Sequence, residues 1–119
     1  MFIHSLKEFI FTIIYYSFTI IYMRKITREA VQAFINGDCN FRKDNTEVLT
    51  DGKDSILRLH GNAIACMFSD WRIEITTAGW ETTTTKERLR AIPWVNSLIT
   101  RKGKLFLNGN EWDGNWITL

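Results

Sequence analysis

From Thr46 onward the chain is cut into short pieces by turn-forming pairs: Asp51-Gly52, Gly61-Asn62, Ser69-Asp70, Asn108-Gly109 and Asp113-Gly114. Pairs of the Asp-Gly and Gly-Asn type favour tight hairpin turns. The segments between them alternate. In residues 55–60, Ile56, Arg58 and His60 oppose Leu57 and Leu59. In residues 71–76, Trp71, Ile73 and Ile75 share one face, and Arg72, Glu74 and Thr76 the other. A period of two marks a strand with one buried face. Residues 46–50, 55–60, 63–68 and 71–76 are therefore expected to form a four-stranded antiparallel meander.

Two segments carry a helical period instead. Ala30, Val31, Phe34 and Ile35 form an apolar stripe, with Thr27 before it as an N-cap and Ile26 and Val31 as a hydrophobic staple. Asn36-Gly37 supplies the stop, so a helix is expected over residues 28–36. The polar stretch 38–45 is expected to be a loop. Further on, Thr84 and Glu87 have capping-box spacing and Pro93 is a stop, giving a second helix over residues 85–92 with Leu89 and Ile92 inward. Strands are expected at 94–100, 105–107, 110–112 and 116–119, with Arg101-Lys102-Gly103-Lys104 as a wide turn. The order α-β-β-β-β-α-β-β-β places the chain in the α+β class, as a mainly antiparallel sheet of about seven short strands with two short helices. Leu57, Leu59, Ile73, Ile75, Leu89 and Leu105 are the expected core. Residues 57–62 and 105–110 share the form L-x-L-x-G-N, which fits two similar hairpins.

Residues 9–22 stand apart. They carry no charge, and every one except Ser17 is β-branched or aromatic. The run falls short of the about 20 apolar residues that span a bilayer. Its readings are an in-frame translation upstream of the true start, a short membrane segment, or a part of the fold. The well-formed helix start directly after Met23 divides the chain into an N-terminal extension, 1–22, and a single small domain, 23–119. If residues 1–22 belong to the protein, membrane association runs through residues 9–22. Otherwise the domain is expected in the cytoplasm, with Cys39 and Cys66 as reduced thiols.

Much chemistry is missing. Neither His4, with only Glu8 at helical spacing, nor His60 belongs to a set of the three or four converging ligands that zinc needs, so no metal site is expected. No phosphate-cradling glycine loop, nucleophile elbow or zinc-protease motif occurs. Asp51, Asp54, Asp70 and Asp113 sit where turns need them. The expectation is no catalytic residue, no cofactor and no enzyme. The net charge of +2 is too balanced to announce a nucleic-acid binder. What remains is a binding surface. Five tryptophans are present; Trp71 and Trp116 are expected in the core, while Trp80, in a glycine-containing turn, is the candidate exposed aromatic. Lys86, Arg88, Arg90, Arg101, Lys102 and Lys104 cluster around the second helix and the loop after it. With Trp80 they are the candidate binding residues, either as hot spots for a protein or as phosphate and base contacts for nucleic acid.

Ala78-Gly79-Trp80, the run Thr84-Thr85-Lys86-Glu87-Arg88-Leu89, Leu107-Asn108-Gly109 and Trp112-Asp113-Gly114 carry a resemblance. With Thr27-Arg28-Glu29-Ala30-Val31 and Leu59-His60-Gly61-Asn62 they make the segment from Met23 onward similar to a family of small uncharacterised proteins of tailed bacteriophages. The resemblance implies a small phage accessory protein, a non-catalytic binding module acting on a host or phage protein in the host-cell cytoplasm. The alternative is a nucleic-acid-binding module that uses the basic surface and Trp80.

Overall fold

The computed structural model describes residues 24–37 and 40–119. The expectations placed on residues 1–22 and on Cys39 lie outside the described residues. Helix α1 spans Lys25–Asn36 and buries Ala30, Val31, Phe34 and Ile35, the stripe its period dictates. It ends at Gly37, whose φ of 65° is the left-handed conformation that glycine adopts without a steric penalty. The start differs from expectation. The N-cap is Arg24, which makes no side-chain capping bond. Thr27 lies inside the first turn and is buried, because its hydroxyl is taken by Glu87 and Arg88.

Strand β1 (Phe41–Lys43) falls in the stretch expected to be a loop. Phe41 pairs with Val48 and packs against the core, and that contact outweighs the polarity of its neighbours. Then follow β2 (Thr46–Thr50), β3 (Ser55–Leu59), β4 (Asn62–Met67) and β5 (Ile73–Ile75), the expected meander. The register between β3 and β4 slips by one residue, from Leu57 opposite Ala65 to Arg58 opposite Ala63. This bulge lets two consecutive residues, Ile64 and Ala65, both be buried.

Helix α2 (Thr83–Arg90) leads to a second, three-stranded sheet of β6 (Leu98–Arg101), β7 (Lys104–Leu107) and β8 (Asn110–Trp112). Strand β9 (Ile117–Thr118) then returns to pair with β5, giving a six-stranded sheet in the order β1-β2-β3-β4-β5-β9. Every pairing is antiparallel. The α+β class and the element order are as expected, with nine strands among the described residues, shared between two sheets, in place of about seven.

One apolar cluster joins α1, α2 and both sheets, and it holds all six expected core residues. Three tryptophans depart from expectation: Trp71 is half-buried against the core, in the turn before β5 with a φ of 69°, rather than inside a strand. Trp116 is 48% exposed, because it enters β9, an edge strand whose two residues are also exposed. Trp94 lies in a turn closed by Val95 N–H on the Ile92 carbonyl, where Pro93 fixes the preceding residue, rather than in a strand. No described helix is long and apolar enough to cross a membrane.

Candidate binding site at Trp80

The chain leaves β5 through Thr76 and Thr77, then reverses at Ala78-Gly79, both with positive φ. Trp80 N–H donates to the Thr77 carbonyl at 2.9 Å, which closes the turn as type I′. The Thr76 hydroxyl accepts from Ala78 N–H at 3.1 Å and donates to the Gly114 carbonyl at 2.7 Å. Thr77 N–H donates to the same carbonyl at 2.9 Å. The turn is thus anchored at its Thr76–Thr77 end, and it presents Trp80 with 61% of its surface exposed.

Trp80 borders a groove of about 510 Å³ between the start of α2 and the β3–β4 hairpin. Leu59 and Ile64 make its floor, His60 and Asn62 its hairpin side, and Thr77, Thr82, Thr84 and Thr85 its other wall. The volume falls in the range of small-ligand and peptide pockets. Thr82 is fixed there because it is the N-cap of α2: its hydroxyl oxygen accepts from Thr85 N–H at 3.1 Å. The expected capping pair of Thr84 and Glu87 does not form. Several threonines in a row each have capping chemistry, and Glu87 is drawn elsewhere.

The basic candidates have separate fates. Lys86 donates from Nζ to Thr100 Oγ1 at 3.0 Å, and Arg90 from Nε to the Leu98 carbonyl at 2.8 Å. They tie α2 along β6, an edge strand of the small sheet. Arg88 is not on the surface: it is 1% exposed, next to Leu89 on the inner side of the helix. Its Nη1 donates to Thr27 Oγ1 and to Glu87 Oε1, each at 2.6 Å, and its Nε to Thr46 Oγ1 at 3.2 Å. Arg24 donates from Nε to both oxygens of Glu87 at 2.9 Å. Partial burial pushes the Glu87 carboxyl up; hydrogen bonds from Thr27 and Arg24, with the charges of Arg24 and Arg88, outweigh it and hold the group below the usual carboxylate range. Burial lowers the Arg88 pKa, and Glu87 opposes that fall.

Arg101, Lys102 and Lys104 are exposed on the β6–β7 hairpin. Its turn is tighter than expected, with Arg101 opposite Lys104 and positive φ at Lys102 and Gly103. The Arg101 guanidinium lies 5.8 Å from the centre of the Phe106 ring. Lys104 pairs with Glu111 at 3.4 Å, and Glu81 and Asp113 line the same hollow. Lys86 reaches the strand that leads to the hairpin, so the helix and hairpin charges adjoin. None of the six basic candidates lines the Trp80 groove. Cys66 is a half-buried free thiol; burial, then Glu74 and Asp54, pushes its pKa up and makes it a poor nucleophile.

Trp80 is exposed as expected, whereas His60, Asn62, Thr82 and Thr84 were not expected beside it. Their signal was present as the L-x-L-x-G-N hairpin and the threonine run, but nothing local says that these face one another. No curated protein and no solved structure matches the chain. A phage protein family, described as Kyanoviridae Gp96 protein, matches residues 23–118, most of the chain. Met23 to Thr118 therefore carries the family pattern that the glycine turns, the TTKERL helix and the WDG segment had suggested, and the chain belongs to the Kyanoviridae Gp96 protein family.

Proposed function

We propose that this phage protein is a non-catalytic binding module that docks on a host or phage protein in the cytoplasm of the infected cell, through Trp80 and the groove beside it. The observation that carries this reading is Trp80 itself: a large aromatic, 61% exposed, on a turn pinned by Thr76 and Gly114. Exposed aromatics are the residues whose burial dominates protein interfaces, and a turn fixed in advance loses little entropy on docking. The groove's lining holds no Asp, Glu, Lys or Arg, while Lys86 and Arg90 are engaged with β6 and Arg88 with the core. The test is capture of partners from nuclease-treated lysate of infected cells by the full chain and by Trp80→Ala. Truncating a hot spot costs about 2–4 kcal/mol, so the variant should lose capture by about 30-fold or more. Equal capture by both chains rejects the reading.

Arg101 over Phe106, with Lys102 and Lys104 alongside, favours nucleic acid as the second reading. Binding of a single-stranded oligonucleotide that falls steeply with salt and is lost in Arg101→Ala, but not in Trp80→Ala, would put that reading first.

A further inference from the structure

The turn between β7 and β8 shares no residue with the Trp80 groove and carries a different chemistry. Asn108 and Gly109 form it, with φ of 50° and 86°, between the paired Leu107 and Asn110. The Asn108 side chain is turned onto the loop of residues 94–97. Its Oδ1 accepts from Asn96 N–H at 2.7 Å and from Ser97 N–H at 3.0 Å, and its Nδ2 donates to the Trp94 carbonyl at 2.9 Å. Asn108 N–H donates to the Ser97 carbonyl at 2.8 Å. One asparagine thus clips the loop to the hairpin. The clip holds an unfavourable backbone: Trp94 has a φ of 78°, in the left-handed region that bulky side chains rarely enter, and half of its surface is exposed. All three side-chain bonds are exposed to water, so the clip belongs to the parts of a fold that open and close locally.

An asparagine amide has a second fate when glycine follows it. The glycine nitrogen can attack the side-chain carbon, and no Cβ beside it obstructs the approach. Gly109 N–H makes no hydrogen bond among the described residues, so its nitrogen is available. At Asn36-Gly37, the other such pair, Gly37 N–H is taken by the Ala33 carbonyl at 3.0 Å. We propose that Asn108 is a site of spontaneous deamidation, gated by the 94–97 loop, whose conversion releases Trp94. While the loop is clipped, the amide is held on Trp94, Asn96 and Ser97. When it opens, the Gly109 nitrogen gives up its proton and bonds to Asn108 Cγ. The Cγ–Nδ2 bond breaks, and Nδ2 leaves with that proton as ammonia. One water opens the cyclic imide that remains, placing its hydroxyl on one carbonyl and its other proton on the nitrogen. The product is aspartate or, by opening at the other carbonyl, isoaspartate. Neither rebuilds the clip. A carboxylate has no hydrogen to donate, so the Trp94 carbonyl faces an acceptor, and isoaspartate adds a backbone carbon to a tight two-residue turn. The change is one-way, and Trp94 loses the contact that holds its left-handed backbone.

The experiment ages the full chain in mildly alkaline buffer, folded and in concentrated urea, and follows aspartate and isoaspartate at residues 36 and 108 by peptide mapping. In urea both asparagines should convert at similar rates. In the folded chain Asn108 should convert more slowly than in urea, and Asn36 should lag behind it by about tenfold or more. The consequence is read by NMR on Asn108→Asp. The Trp94 indole N–H resonance, identified by its loss in Trp94→Phe, should move, while that of Trp80 stays in place. Asn110→Asp, which adds the same charge outside the clip, should leave Trp94 unmoved. If Asn108→Asp does not fold, the same shift is read on the aged chain. Asn108 intact in the folded chain once the urea sample has converted, conversion of Asn36 as fast as Asn108, or a Trp94 resonance that ignores the change at residue 108 would overturn the proposal. Conversion of Asn108 at the same rate folded and in urea would overturn the gate.

Discussion

Arg88 shows how one side chain can be assigned to the wrong surface by its neighbours. Within TTTKERLR it has the look of a solvated charge, yet its guanidinium joins Thr27 on α1 to Thr46 on β2. Those partners lie 61 and 42 residues away, beyond any local pattern. Removing one member of a buried pair strands the other, so Arg88→Ala should cost about 3–5 kcal/mol in urea unfolding. Arg88→Lys should recover little, because a single ammonium cannot reach both hydroxyls as the planar fork does. Glu87 gives a pH signature. Its folded pKa lies below the unfolded value, so its stabilisation is complete above the ordinary carboxylate range, near about 4.3, and is lost as pH falls through the folded value. Stability measured from about pH 6 to pH 3 should fall, and Glu87→Gln should flatten that fall. A slope unchanged in the variant would remove Glu87 as its source.

Among the turns and strands, glycine made most boundaries legible. His60-Gly61, Lys102-Gly103 and Asn108-Gly109 all have positive φ at both residues, the geometry that suits a twisted hairpin. Here the sequence narrows the backbone to one shape, although the β3–β4 turn sits one residue earlier than Gly61-Asn62 suggests. Helix starts were less legible, because Thr82 to Thr85 all have capping chemistry and only the packing of α2 selects Thr82. The edge of β6 could not be foreseen at all: Lys86 and Arg90 cover it from a helix whose charges read as solvent-facing. Gly114 offers the sharpest check at this level. Its φ is +85°, and a Cβ there would meet Thr77 Oγ1 at 2.5 Å, against the contacts that hold the Trp80 turn. Gly114→Ala should cost about 1–3 kcal/mol in thermal unfolding. Gly52→Ala, with similar φ and open space, should cost less. Equal losses would show that backbone conformation alone sets the penalty.

Both sheets and both helices share one apolar cluster, from Val31 and Phe34 through Leu57 and Ile75 to Leu105 and Trp112. Tryptophan fluorescence and far-ultraviolet circular dichroism should therefore report a single, coincident denaturant transition. Separate transitions would mean that the three-stranded sheet melts alone. The membership of this core was legible in the strand alternation and the helical stripes. The division into two sheets was not, since alternation says which face is buried but not which distant strand is the neighbour. Strand β9 is the clearest case: Thr118 reaches Glu74, 44 residues earlier. That return has a consequence in time. The hairpins from β1 to β5 close between near neighbours, whereas the edge of β5 waits for β9, which is far along the chain. While the polypeptide is still emerging from the ribosome, Ile73–Ile75 forms an unpaired margin, and the Gly114 carbonyl that locks the Trp80 turn has not arrived. The turn that presents Trp80 is thus locked only when Gly114 arrives, 38 residues after Thr76, so its geometry is set late in the order in which contacts can close.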